Sequence, residues 1–187
     1  MQTYIAILRG INVGGASMIK MPVLQKAFED AGFRNVKTYI QSGNVLLNHQ
    51  ESEPGALARE IGEMLKRNLR MDIPVLVLAL EDITGIFENN PFVNSRQKDI
   101  SKLHVTFLAS LPETERISKI EKDKYLPDEF YLLGKAIYLF CPDGYGRTKL
   151  NNNFFESKLK IAATTRNWKT VTELVRLGGE LAAVREF

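Results

Sequence analysis

Apolar positions along the chain recur in two rhythms. Residues 3–8, TYIAIL, form a short apolar run of strand length. In residues 21–32, MPVLQKAFEDAG, the positions Val23, Leu24, Ala27, Phe28 and Ala31 fall on one helical stripe. Pro22 suits the first turn of that helix and Gly32 its stop. Residues 35–42 alternate Val36, Thr38 and Ile40 with Lys37, Tyr39 and Gln41, as a strand with two unlike faces does. NVLLNH (44–49) follows past Gly43. Helical spacing returns over residues 55–69 through Leu57, Ile61, Met64, Leu65 and Leu69, and IPVLVLAL (73–80) closes the series as a strand.

That order, β-α-β-β-α-β, comes twice. SKLHVTFLA (101–109) reads as a strand and PETERISKIEK (112–122) as a helix opening on Pro112. EFYLLG and AIYLFC make a hairpin about Gly134 and Lys135. Residues 150–160, LNNNFFESKLK, are helical with asparagines as cap candidates. AATT (162–165) is a short strand, and WKTVTELVRLGG is a last helix that the glycine pair should stop. The pattern predicts an α+β fold of two tandem ferredoxin-like (split β-α-β) units, with antiparallel sheets and helices packed on one face. The first unit takes residues 1–92 with a glycine-rich loop, the second residues 93–187 with basic C-terminal motifs. The link between them falls within residues 83–100, which combine a short helix with Asn-Asn-Pro.

Composition adds bounds rather than chemistry. With 187 residues, 44% hydrophobic and 25% charged, the chain can bury a core without staples. Its single cysteine, Cys141, excludes an internal disulfide and favours a reducing, cytoplasmic setting. The start lacks the pattern of a signal peptide, and no run approaches the ~20 apolar residues that span a bilayer, so no membrane partner is expected. The net charge of +3 is too small to argue nucleic-acid binding by itself. Its distribution is more telling, since residues 141–170 alone carry +4.

Three stretches could carry chemistry. Residues 9–20 hold Gly10, Gly14 and Gly15 between Arg9 and Lys20 with no acid among them. A P-loop would need a lysine where Ala16 stands, and no dinucleotide fingerprint is present. What survives is a backbone able to bring N–H groups to an anion, or a plain turn. YIQSGNV (39–45) offers Gln41, Ser42 and Asn44, which equally suit a hairpin turn. The split topology would set it near the glycine loop. The third stretch places Arg147, Lys149, Asn151, Arg166, Asn167 and Trp168 at two helix starts, where backbone N–H groups, the dipole and arginine forks favour anions. A solvated basic face with capped helices would look the same. His49 and His104 lack metal spacing, no nucleophile–base set is legible, and Cys141 reads as a small buried residue.

The same motifs resemble the bacterial domain of unknown function 1697. They are YIAILRGINVGG, KM-x-x-L, TYIQSGNVLL, GRTKLNNNFFESKL and ATTRNWKTV, running in order from Tyr4 to Val175. The resemblance implies an α+β fold of two ferredoxin-like halves and no established activity, cofactor or partner. By position, its distinctive residues would be Arg9, Gly10, Asn12, Gly14 and Gly15, then Gln41, Ser42, Gly43 and Asn44, then Arg147, Lys149, Asn151, Thr165, Arg166, Asn167 and Trp168. This chain departs from it at Ala16 and Ser17, which follow the glycine pair.

The reading that joins these features is an anionic small molecule, phosphorylated or nucleotide-like, held by residues of both halves. Arg147, Lys149 and Arg166 would neutralise it, Asn12, Gly14 and Gly15 would shape the loop, and Gln41, Asn44 and Asn167 would orient it. The cofactor and any catalytic residue stay unknown, since no general base can be named. One rival is RNA or single-stranded nucleic acid stacked on Tyr39, Tyr131, Tyr138 or Phe140, though the RNP1 pattern is missing. Another is a non-catalytic interaction protein that forms a homodimer through its sheets.

Overall fold

The computed structural model describes residues 1–12, 18–50 and 53–184. Two compact units emerge from it. One comprises Met1–Thr84 together with the C-terminal stretch from Glu173, and the other comprises Gly85–Thr172.

In the first unit the chain runs β1 (Gln2–Leu8), α1 (Met21–Asp30), β2 (Arg34–Tyr39), β3 (Asn44–His49), α2 (Pro54–Leu69), β4 (Val75–Ala79) and into α3 (Leu80–Glu88). The four strands form an antiparallel sheet in the order β2-β3-β1-β4. Strand alternation explains its two faces. Tyr4, Ala6 and Leu8 of β1 turn, with Val45, Leu47 and Val77, toward α1 and α2. These helices answer with Leu24, Ala27, Phe28, Leu57, Ile61, Met64 and Leu65. Pro22 sits in the first turn of α1, and Gly32 follows its end at φ +92°. Glu53 caps α2 by accepting from Gly55 N and Ala56 N at 2.9 and 2.6 Å.

The opposite face of this sheet carries Ile5, Ile7, Leu46 and Leu78, which are also buried. The C-terminal half of α7 (Trp168–Ala183) belongs to this unit. Its Glu180 pairs with Lys37 of β2 at 3.7 Å, and Leu174, Leu177 and Leu181 make its buried stripe. Here the structure corrects the sequence reading, because Gly178 and Gly179 do not stop the helix, which continues to Ala183. Gly178 serves packing instead, since a Cβ there would lie 2.5 Å from Leu80 Cδ1.

The second unit contains α4 (Pro91–Asn94), β5 (Leu103–Leu108), α5 (Thr114–Ser118), β6 (Glu129–Leu133), β7 (Ala136–Phe140), α6 (Asn152–Leu159) and β8 (Ala163–Asn167). Its antiparallel sheet has the order β6-β7-β5-β8. Leu108, Phe130, Ile137, Leu139 and Ala163 of that sheet pack on Phe155 and Leu159 of α6. The helix expected over 112–122 shrinks to Thr114–Ser118, followed by a 3-10 turn over Lys122–Tyr125. Its sequence supplies only Ile117 and Ile120 to the core among many charges, too little to hold a longer helix.

The divide between units also differs from the boundary at 92 and 93. It falls inside α3, which starts directly after β4 with no linker, and the chain returns to the first unit from Glu173 onward. No described helix is long and apolar enough to cross a membrane.

Candidate functional site

In the first unit the loop after β1 and the β2–β3 turn are joined, as the topology led us to expect. Asn12 takes a left-handed backbone at φ 55°. Its Nδ2 donates to Ile19 O at 3.0 Å and to Gln41 O at 2.9 Å, while its Oδ1 accepts from Ile19 N at 2.7 Å. Asn44 Nδ2 donates to Tyr39 O at 3.1 Å and Ser42 Oγ at 3.2 Å. Gly43, at φ 79°, must lack a side chain, because a Cβ there would lie 2.5 Å from Ile11 Cδ1. These amides therefore fasten one loop to another. Arg9 is fixed through its backbone N–H, which donates to Pro74 O at 3.0 Å. Gly14 and Gly15 lie outside the described residues.

In the second unit, the segment after β7 makes a 3-10 turn over Tyr145–Arg147 and then extends at Thr148. Thr148 points inward, donating its hydroxyl to Asp128 Oδ2 at 2.6 Å and accepting from Leu150 N at 3.0 Å. Its neighbours Arg147 and Lys149 consequently face outward. Both line a cleft of about 240 Å³ with Lys124, Tyr125, Leu126, Pro127, Asp128 and Asp143. Lys124 is also paired with Glu121 at 2.7 Å. Among the described residues, neither Arg147 nor Lys149 has an ion-pair or hydrogen-bond partner for its side chain. Behind the cleft, Cys141 is fully buried, and burial together with the Asp128 charge pushes its thiol up to about 11 against the Thr148 bond. Such a thiol stays protonated and unreactive.

The other basic-motif residues have structural employment. Asn151 caps α6 by accepting from Phe154 N at 3.0 Å, and Asn167 caps α7 by accepting from Thr170 N at 2.8 Å. Trp168 is buried and stacks on Phe87 with ring centroids 5.1 Å apart. Arg166 on β8 donates to Thr165 O at 2.9 Å, and burial pulls its guanidinium down to about 10. Beside it runs a polar chain the sequence did not reveal. Thr106 and Thr165 share a 2.6 Å hydroxyl contact, and Thr165 donates to Asn152 Oδ1 at 2.6 Å. His104 stacks on Tyr145 at 4.8 Å, with Nδ1 buried and lacking a hydrogen bond among the described residues.

Three of the four aromatic residues named for base stacking, Tyr131, Tyr138 and Phe140, are already engaged. Tyr138 is 1% exposed and donates to Ile86 O at 2.9 Å. Phe140 lies beneath Lys98 Nζ at 4.4 Å, and Tyr131 meets Phe92 edge-on at 5.2 Å. Among the described residues no group of three or more His, Cys, Asp or Glu side chains could hold a metal ion.

The sequence did not reveal that Lys124, Tyr125, Asp128 and Asp143 line the same cleft as Arg147 and Lys149. Only the short separation of Asp143 from Arg147 hinted at it. Asp128 reaches the cleft by tertiary packing through Thr148.

The fold matches a solved structure, that of the conserved bacterial protein SP0830 from Streptococcus pneumoniae. The TM-score is 0.74 at 22% identity, covering 95% of this chain and 98% of that one. No curated protein matches the chain. The family model described as "Protein of unknown function (DUF1697)" matches residues 1–138, so Arg147 and Lys149 lie beyond the matched span. By that match the chain belongs to the DUF1697 family of conserved proteins whose function is uncharacterised.

Proposed function

We propose that this protein binds an anionic small molecule in the cleft of its second unit. One observation carries the reading: Arg147 and Lys149 project into one concavity from either side of a buried threonine and have no protein partner among the described residues. A guanidinium offers a bidentate fork to an oxyanion and a lysine adds a mobile point charge, so a phosphoryl or carboxylate group gains most from the pair. Ion pairs in an open cleft are screened, so binding weakens as salt rises. The strand orders β2-β3-β1-β4 and β6-β7-β5-β8 support a ferredoxin-like reading of each unit, with the cleft on the segment joining β7 to α6. The lone buried thiol supports a reducing, cytoplasmic setting.

The test is thermal unfolding of the whole chain with phosphate, sugar phosphates, nucleotides and dicarboxylates, beside an Arg147→Gln, Lys149→Gln double variant. A ligand at ~100 times its Kd adds about 2.7 kcal/mol. For a chain of this length that raises Tm by roughly 5–10 °C. The expected result is a shift of this size in the wild type and none in the variant. No shift with any anion, or the same shift in both proteins, overturns the reading.

A further inference from the structure

We infer that the ligand of this cleft is a sugar monophosphate, with its phosphoryl group on Arg147 and Lys149 and its hydroxyls on Asp128 and Asp143. The inference rests on the anion-binding reading above and adds the ligand class.

The lining is not purely basic. Lys124, Arg147 and Lys149 face two carboxylates, Asp128 and Asp143. A chain of phosphates would bring several negative charges against those two acids, and like charges at close range repel. A single phosphoryl group needs only the two cations without a described protein partner. The carboxylates then require donors, and hydroxyls supply them, because an ionised carboxylate accepts hydrogen bonds and gives none.

Asp128 is prepared for that task. Thr148 holds its Oδ2 at 2.6 Å, which fixes the carboxylate's orientation and leaves Oδ1 to accept from a ligand. The same Thr148 separates Arg147 from Lys149, so one buried side chain sets both the anion end and the acceptor end of the cleft. Asp143 has no described ion-pair partner and stands four residues before Arg147 in the same segment.

Size and surface agree. The cleft's volume of about 240 Å³ is below the roughly 300 Å³ at which drug-sized pockets begin. Its apolar flank is Tyr125, Leu126 and Pro127, enough for the C–H face of one sugar ring. Tyr125 is its sole aromatic side chain and already meets Phe154 edge-on at 5.0 Å, so no pair of rings is available to sandwich a base.

Calorimetric titration of the full chain with glucose 6-phosphate, ribose 5-phosphate, inorganic phosphate and ATP tests this. One of the two sugar phosphates should bind about tenfold tighter than inorganic phosphate, the worth of one charge-assisted hydrogen bond. Asp143→Asn should erase that advantage while leaving phosphate binding equal or stronger, since a repelling charge is gone. Arg147→Gln should weaken both. Asp143 and Arg147 are exposed, and a circular dichroism spectrum confirms that each variant is folded. If inorganic phosphate binds as tightly as the tighter of the two sugar phosphates, or ATP binds tighter than both, or Asp143→Asn weakens all ligands alike, the inference is wrong while anion binding stands. If none of the four binds, the sugar-phosphate inference fails, and if the dicarboxylates also leave Tm unchanged the anion-binding reading fails with it.

Discussion

His104 shows how much one residue's environment can differ from its sequence context. In the sequence it is a lone histidine on a strand, without metal spacing or a catalytic partner. In the fold it packs on Tyr145, and its Nδ1 is buried without a hydrogen bond among the described residues. Burial lowers its pKa from the usual 6.5, and a backbone bond at Lys102 opposes this only in part. The unfolded chain therefore takes up a proton near pH 6.5 that the folded chain still refuses. Stability contributed by neutral His104 is complete above about pH 6.5 and is lost as pH falls toward the lower folded value. We expect Tm of the wild type to fall as pH drops below about 6.5, and His104→Gln, which cannot titrate, to flatten part of that slope. His49 is common to both proteins and cancels in the comparison. Parallel Tm–pH curves for the two would show that His104 is not buried in this way. Residue chemistry of this sort is illegible in the sequence because burial comes from partners distant along the chain. Cys141, by contrast, is legible, since a strand-end cysteine before Pro142 in an apolar run has few other fates.

At the scale of elements, apolar runs of strand length bounded by turn residues located the strands closely, because strands such as β1 and β3 are buried on both faces. Sequence pattern failed where one residue type serves two purposes. The glycine pair at the end of α7 looks like a stop, and the helix runs through it. Gly179 is exposed, with nothing within 4 Å of the place a methyl group would take, while Gly178 is buried under Leu80. Helix propensity alone predicts that either Gly→Ala change gains up to about 1 kcal/mol. The structure separates them. Gly179→Ala should raise the unfolding free energy by about 0.5–1 kcal/mol. Gly178→Ala should fall short of that gain or reverse it, because Leu80 must yield to the new methyl group. Equal gains in chemical denaturation would mean that Leu80 moves aside at no cost. The short α5 is the complementary lesson: a charged stretch with a proline start resembles a helix but has too little apolar surface to extend one.

At the scale of the whole molecule, the repeated order of elements was legible and the chain's path between units was not. Composition points to a divide in the polar stretch after residue 90, where a linker would be expected. The contacts place it inside α3 and return the chain to the first unit from Glu173. No local signal marks such a return, because the stripe of Leu174, Leu177 and Leu181 looks like that of any amphipathic helix. The consequence is that the first sheet depends on the last helix. Glu180 reaches Lys37 on β2, and Gly178 abuts Leu80, the residue that follows β4. Each buried leucine of that stripe is worth roughly 1.5–3 kcal/mol, a large share of a domain's stability. A chain ending after Thr172 should therefore lose protection against hydrogen exchange at Ile5, Ile7 and Leu46, although those residues lie far upstream in the sequence. Amides of β5 and β7, such as Val105 and Leu139, should stay more protected, since their unit keeps all its strands. If protection instead falls first in β5 and β7 while β1 and β3 hold theirs, α7 belongs energetically to the second unit along its whole length.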